Sequence, residues 1–222
     1  MVYDFHTHTT LSDGELSPME QIRRAVLNGY AAIALTDHAG LADCEHILKS
    51  VIAACTTAQR YWSIEAIPGI ELTHLPPPAI AEAARWAREH GARMIVVHGE
   101  TIVEPVPPGT NHAAVTCTDV DILAHPGFLS DDDARLAATN GVFIEISGRK
   151  GHSFTNGFVA STGRRAGVRF LVNSDAHSID DLLTDKAARA FALGCGLSEQ
   201  EADTALTDNP RLLLERVRQR PR

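Results

Sequence analysis

The sequence predicts an α/β protein built on a parallel sheet, arranged as a closed barrel. Seven short apolar runs alternate with longer amphipathic stretches along the 222 residues, and strict alternation of strand and helix gives a parallel sheet. The run RMIVV (93–97) shows almost no polar alternation, as expected of a strand buried on both faces. No linker, repeat or low-complexity stretch divides the chain, so residues 1–222 read as one domain. A doubly wound open sheet is the alternative, but no glycine-rich phosphate fingerprint follows the first strand.

VYDF (2–5) is the first strand. Ser17 and Pro18 open a helix as N-cap and first helical residue, and Asn28-Gly29 closes it. AAIALT (31–36) is the second strand, followed by a helix over 42–61. The third strand lies within 64–70, and the next helix spans 78–90 with Gly91 as its stop. After the fourth strand (93–97), GETIVEPVPPGTNH (99–112) is a loop rich in proline and glycine. VDIL (120–123) is the fifth strand. Ser130 then starts a helix whose first turn carries Asp131, Asp132 and Asp133, which suits the helix dipole. VFIEI (142–146) and RFLV (169–172) are the sixth and seventh strands, with a helix near 156–166 between them. Helices over 180–193 and from 208 onward complete the chain.

Hydrophobic residues make up 44% of the chain, enough for one sizeable core. The net charge of −8 counts against nucleic acid as a partner, because nonspecific binding needs a basic footprint. A phosphorylated substrate remains compatible if bound divalent cations reverse the local field. The four cysteines form no CxxC pair, which argues against a thiolate metal site and suits a reducing cytoplasm. No basic, apolar leader opens the chain and no apolar run is long enough to span a membrane, so the expectation is a cytoplasmic protein without a membrane partner.

The eleven histidines are the oddity, and their positions carry the functional argument. Residues i and i+2 on a strand point the same way, so His6 and His8 project together beyond the first strand. The second strand ends in Asp37-His38, the third in Glu71, the fourth in His98, the fifth in His125 and the seventh in NSDAH (173–177). In a β/α barrel these ends surround one mouth, where active sites are built. Singly, each has a plainer reading: HTH as a surface pair, SDG (12–14) as an ordinary turn. Together they exceed what one ion requires and predict two or three divalent metals. Imidazole and carboxylate without thiolate suit zinc, manganese or iron.

The sixth strand lacks an obvious ligand and leads into ISGRKGHSFTNG (146–157). There Arg149 offers a bidentate grip on phosphate and Lys150 a point charge, against the alternative of a solvated basic turn. His152, Ser153 and Asn156 are candidates to line the same pocket. His74, three residues beyond Glu71, is either a substrate or ligand contact or a plain loop residue. His112 ends the proline-rich loop, a candidate lid. His46 and His90 fall in helices and read as structural.

HTHT (6–9) with SDG (12–14), ALTDH (34–38), GIEL (69–72), VVH (96–98), AHPG (124–127) and NSDAH (173–177) resemble, in order and spacing, the motifs of the PHP (polymerase and histidinol phosphatase) family. The resemblance covers nearly the whole chain. It implies a distorted (β/α)7 TIM-like barrel holding three metals. His6, His8, Glu71 and Asp175 would bind the first ion and Asp13, His38 and His177 the second. His98 and His125, with Glu71 bridging, would bind the third. Asp37 would orient a neighbouring ligand. The implied activity is metal-dependent hydrolysis of small-molecule phosphate esters, as a histidinol-phosphatase-like phosphatase or a phosphodiesterase. A hydroxide shared between metals would attack phosphorus, with Glu71, Asp175 and His177 at the reacting centre. The competing readings are a hydrolase of another bond such as an amide, a nuclease module, and a noncatalytic metal-binding module. Acidic charge weighs against the second and the complete ligand set against the third. The motifs leave the oligomeric state open.

Overall fold

The computed structural model describes residues 1–220. Its strands and helices alternate as β1 (Val2–Asp4), α1 (Pro18–Leu27), β2 (Tyr30–Leu35), β3 (His38–Ala39), α2 (Cys44–Tyr61), β4 (Glu65–Leu72), α3 (Ile80–Glu89), β5 (Met94–His98) and α4 (Thr110–Thr116). They continue as β6 (Ile122–Ala124), α5 (Asp131–Asn140), β7 (Phe143–Ser147), α6 (Asn156–Ala166), β8 (Phe170–Asn173), α7 (Asp185–Gly194), α8 (Glu199–Asp203) and α9 (Asn209–Gln219). The strands pair in the order β1-β2-β4-β5-β6-β7-β8, all parallel, and the short β3 adds to β4.

The two edges meet beyond the ends of β1 and β8. The amide of His8 donates to the Ala176 carbonyl at 2.9 Å and that of Asp175 to the His6 carbonyl at 3.0 Å. A single parallel bridge between Thr7 and Ala176 lies between them. The sheet is thus a nearly closed seven-stranded barrel with β3 as an extra rung, and the open doubly wound alternative is excluded.

Alternation along each strand decides what faces inward. Ala32, Ala34, Ile67, Met94, Val96, Ile122, Phe143 and Leu171 pack together inside the barrel. Leu213, Leu214 and Val217 of α9 join this cluster and close the N-terminal end of the strands. Residues in between, such as Ile33, Leu35, Ile95, Val97 and Ile144, pack outward against the helices. The inward rows continue past the apolar plug to Glu71, His98, Glu145 and Asn173, so the same periodicity that builds the core delivers polar groups to the opposite end. Beneath the plug, the buried Asp121 pairs with Arg88 and with Arg220 (2.5 Å) and accepts from the Ile95 amide at 3.0 Å.

Several local expectations change. The loop after β5 ends at Gly109, because Thr110 begins α4. The helix expected over 180–193 is a 3-10 turn (Ile179–Asp181) followed by α7, whose own cap is Thr184 accepting from the Ala187 amide. The helix from 208 is preceded by α8 and a π-helical turn (Thr204–Asp208). Before α3, the prolines form a 3-10 turn (Pro77–Ala79). Ser130 caps α5 as expected, whereas Ser17 occupies the cap position of α1 without a side-chain bond. Among the described residues no helix is long and apolar enough to cross a membrane.

Candidate metal centre

His6 and His8 extend from β1 with their Nε2 atoms 3.0 Å apart. Around them the barrel mouth gathers Asp13 from the first loop, His38 from β3, Glu71 from β4 and His98 from β5. His125 comes from the loop after β6, and Asp175 and His177 from the loop after β8. His125 and Asp175 have positive φ (25° and 54°), a backbone form rare outside glycine. Such outliers gather at functional sites, where surrounding structure imposes them. Between them, Gly127 has φ 63°, and a Cβ there would lie 2.0 Å from the Glu100 carbonyl oxygen, so the AHPG turn requires its glycine.

The nine residues fall into overlapping groups. His8, Asp13, His38 and His177 place one ligand atom each within 4.8 Å of the others; so do His6, His8 and Asp175, and His6, Glu71 and His125. Glu71 lies at the centre. Its Oε1 is 3.1 Å from His6 Nε2 and 3.5 Å from His125 Nε2, and its Oε2 is 2.6 Å from His38 Nδ1. Asp175 Oδ1 lies 3.1 Å from His8 Nε2, and His177 Nε2 lies 3.1 Å from Asp13. A fourth group joins His98 and His125 to His152, which the sequence suggests as a substrate contact.

Two features test whether these residues fit metal ions. First, His8 Nδ1, His125 Nδ1 and Glu71 Oε1 are buried without a hydrogen-bond partner, which is costly for groups of this polarity. Second, the field favours a cation. Burial opposes a charge on His6, yet the carboxylates of Glu145, Glu71 and Asp175 outweigh it and hold its pKa well above the ordinary value. His38 behaves alike: Glu71 and Asp13 overcome burial and raise it to about 9. Burial, helped by His38, drives His8 well below its ordinary value, keeping that ring neutral as a ligand must be. Glu71 is held well below the usual carboxylate range by His6 and His38 against its burial. A pocket that attracts protons this strongly attracts divalent cations by the same charges, and its nitrogen and oxygen donors suit such ions.

Arg149 enters the same mouth from the loop after β7. Its Nη1 is 2.7 Å from His177 Nδ1 and 3.4 Å from the Asp175 carbonyl. It lines a small cavity of about 20 Å³ with Asp13, His38, His98, His125 and Asp175. Lys150 and His74 are exposed and do not line that cavity, although the His74 ring lies 5.8 Å from His98. Ser153 is half-buried, and Asn156 holds the Ser147 backbone at both ends rather than facing the cavity. Asp37 does not bond a histidine: its carboxylate takes the Thr9 amide (2.7 Å) and the Ser12 hydroxyl (2.8 Å), fixing the loop that carries Asp13. His112 is exposed and pairs with Asp133, and His90 stacks on Trp86.

Two residues emerge that sequence reasoning passed over. Glu145 gives β7 a role after all, as the partner of His6 Nδ1 at 2.8 Å. Its signal was an acid between two isoleucines in a strand buried on both faces, where a charge requires a partner. Glu104, in the loop after β5, reaches His98 Nε2 at 2.9 Å; no periodicity marks a single acid in an irregular segment.

Residues 4–127 match the PHP domain family. This chain belongs to that family. Its members are metal-dependent hydrolases. The PHP protein is 44% identical over 218 residues to an uncharacterized protein of Methanocaldococcus jannaschii, covering 98% of this chain and 100% of the other. It is 29% identical over 235 residues to ribonuclease P protein component 3 of Methanosarcina mazei, covering 99% and 91%. Histidinol phosphate phosphatase from Lactococcus lactis, solved with zinc, L-histidinol and phosphate, shares the fold at a TM-score of 0.58 and 13% identity, over 89% of this chain and 94% of that one.

Proposed function

We propose that this PHP protein hydrolyses small-molecule phosphate esters with two to three divalent ions, zinc, manganese or iron, held at the barrel mouth. The observation that carries the reading is Arg149 lining one cavity with six of the nine candidate ligands, Asp13, His38, His98, His125, Asp175 and His177. His6, His8, Asp13, His38, Glu71, His98, His125, Asp175 and His177 would hold the ions. Bound there, divalent ions neutralise phosphoryl oxygens and lower the pKa of water, which is the chemistry hydrolysis of a phosphate ester demands. Arg149 presents a fixed, planar set of donors to the phosphoryl group. Its position beside His177 and the Asp175 carbonyl orients that fork toward the cavity. Glu71, Asp175 and His177 act at the reacting centre by fixing the ions around it.

The cavity is small, so a substrate would present its phosphoryl end to the ligands from the rim. The rest would lie across the rim, where the loops after β5 to β7 and the first turn of α6 expose Ile102, Val103, Phe128, Phe154 and Phe158. The fold shared with a phosphatase supports the reading. Four free cysteines suit a reducing cytoplasm as the working compartment.

A second reading follows from the likeness to ribonuclease P protein component 3 over nearly the whole chain: a role in an RNA-containing assembly. The net charge of −8 weighs against it.

The test is a panel of an aryl phosphate monoester, an aryl diester, histidinol phosphate, a nucleotide, a single-stranded RNA and an N-acyl amino acid, each with added zinc or manganese. Turnover of a small ester, abolished by chelator, supports the proposal. Cleavage confined to the RNA favours the second reading, and cleavage confined to the amide overturns phosphate as the substrate class.

A further inference from the structure

We infer that His152 and Glu104 complete a metal position with His98 and His125, so that this ion is held by three imidazoles and one carboxylate from the loop over the mouth. The inference rests on the metal binding of the proposed function and is independent of its substrate.

Glu71 is poorly placed to serve as the main carboxylate of this position. Its Oε1 lies closer to His6 and its Oε2 closer to His38, and it approaches this group through His125 at 3.5 Å. Glu104 fills that role. Its Oε2 lies 2.9 Å from His98 Nε2 and its Oε1 lies 3.6 Å from His152 Nε2.

The hydrogen-bond roles point to a cation between these atoms. His98 Nδ1 faces the Gly99 carbonyl oxygen at 3.1 Å, which only accepts, so Nδ1 carries the ring hydrogen. In the neutral ring Nε2 is then a bare acceptor, and it confronts a carboxylate oxygen. Two acceptors in contact need a positive charge between them, which a second ring proton supplies in the metal-free chain and a bound metal ion would replace. His152 Nδ1 is fixed by the Thr101 hydroxyl at 2.7 Å, which leaves Nε2 turned toward Glu104. The His125 and His152 rings stack at 4.1 Å with 19° between planes, and His125 Nδ1 has no hydrogen-bond partner.

Three buried imidazoles and a carboxylate make a donor set that a four-coordinate ion accepts. The imidazoles sit on three separate segments, at the end of β5, after β6 and after β7. Glu104 and Thr101 share the loop after β5, so an ion bound here would also pin that loop. The Glu104 side chain is 41% exposed, unlike the three rings, and so is the ligand most open to exchange.

The experiment is metal content by inductively coupled plasma mass spectrometry after reconstitution with zinc, together with hydrogen exchange of residues 99–109. It compares the wild-type chain with His152→Ala, His152→Asp and Glu104→Gln. We expect His152→Ala to hold one ion fewer per chain and to exchange faster in the loop. His152→Asp, which keeps a donor atom, should retain the ion, and Glu104→Gln should weaken its binding about tenfold or more. Melting of the metal-free proteins identifies a variant that fails to fold; Glu104→Gln, at an exposed position, then carries the test alone. Unchanged stoichiometry and affinity in His152→Ala and Glu104→Gln would overturn this inference while leaving the metal centre standing. A wild-type chain that binds no metal would overturn both.

Discussion

Glu145 Oε2 stands 2.8 Å from Nδ1 of His6, with both side chains fully buried. Asn173 donates to the same carboxylate oxygen at 2.9 Å. The contact fixes the ring so that Nε2 points at the centre, and it makes that nitrogen a stronger donor to a metal. Glu145→Gln keeps the shape and removes the charge. It should lower metal affinity by roughly ten- to a hundredfold, read by titration against a competing chelator. Wild-type affinity in this variant would mean that the carboxylate only fills space.

The second prediction concerns pH. The metal-free fold raises His38 from its ordinary value of 6.5 to about 9, burial being outweighed by Glu71 and Asp13. A raised pKa means that the folded state binds the proton more tightly than the unfolded chain. The resulting stability is complete below pH 6.5 and is lost as pH rises through 9. Metal-free protein should therefore melt at a lower temperature at pH 9 than at pH 6.5. Metal displaces the same proton, so apparent metal affinity should rise over that interval. Scanning calorimetry with and without zinc across the range checks both; a melting temperature that climbs with pH in the metal-free form would contradict this electrostatic account.

The role proposed for Arg149 separates phosphate recognition from metal binding. Hydrogen bonds from a charged group contribute about 1.5–3 kcal/mol. Arg149→Ala should thus reduce kcat/KM for a phosphate ester by roughly ten- to a hundredfold while metal content stays at the wild-type level. Arg149→Lys should recover only part, since the planar fork is lost. An unchanged kcat/KM would remove Arg149 from the substrate site.

At the opposite end of the barrel, Asp121 offers a control. It is fully buried between Arg88 and Arg220, and breaking such a group from one side costs about 3–5 kcal/mol. Asp121→Ala should lower the melting temperature by on the order of 10 °C. Its metal content at 20 °C should not change, because stability resides at this end of the strands and chemistry at the other. Loss of metal in a folded Asp121→Ala protein would contradict that division.

Much of the site was legible because apolar strands buried on both faces stop abruptly where they meet the mouth. AAIALT runs into Asp37-His38 and MIVV into His98, and a polar residue at such an edge stands out. The barrel followed from the same runs. Glu145 was missed because it lies inside a strand rather than at its end, where only its inward parity marks it. Glu104 and α4 were hidden in a segment whose prolines and glycines suggest loop throughout. The two-residue β3 is too short to show any period, and α8 with its π-helical turn flows into α9 without a breaker. Asp37 looked like a partner for the adjacent histidine, but its contacts are on the loop after the neighbouring β1, at Thr9 and Ser12. Adjacency along the chain says little about which way a side chain turns once a strand has ended.

The most direct measurement strips the protein with chelator and restores zinc or manganese stepwise, following bound metal and aryl phosphate hydrolysis on the same sample. The account predicts no turnover in the stripped protein and activity that returns as the second ion binds. The double variant His8→Ala, His38→Ala should bind fewer ions and stay inactive throughout. Hydrolysis that persists at full rate without metal, or a double variant that keeps both its full metal content and its activity, would contradict the assignment of the barrel mouth as a metal-dependent phosphoesterase centre.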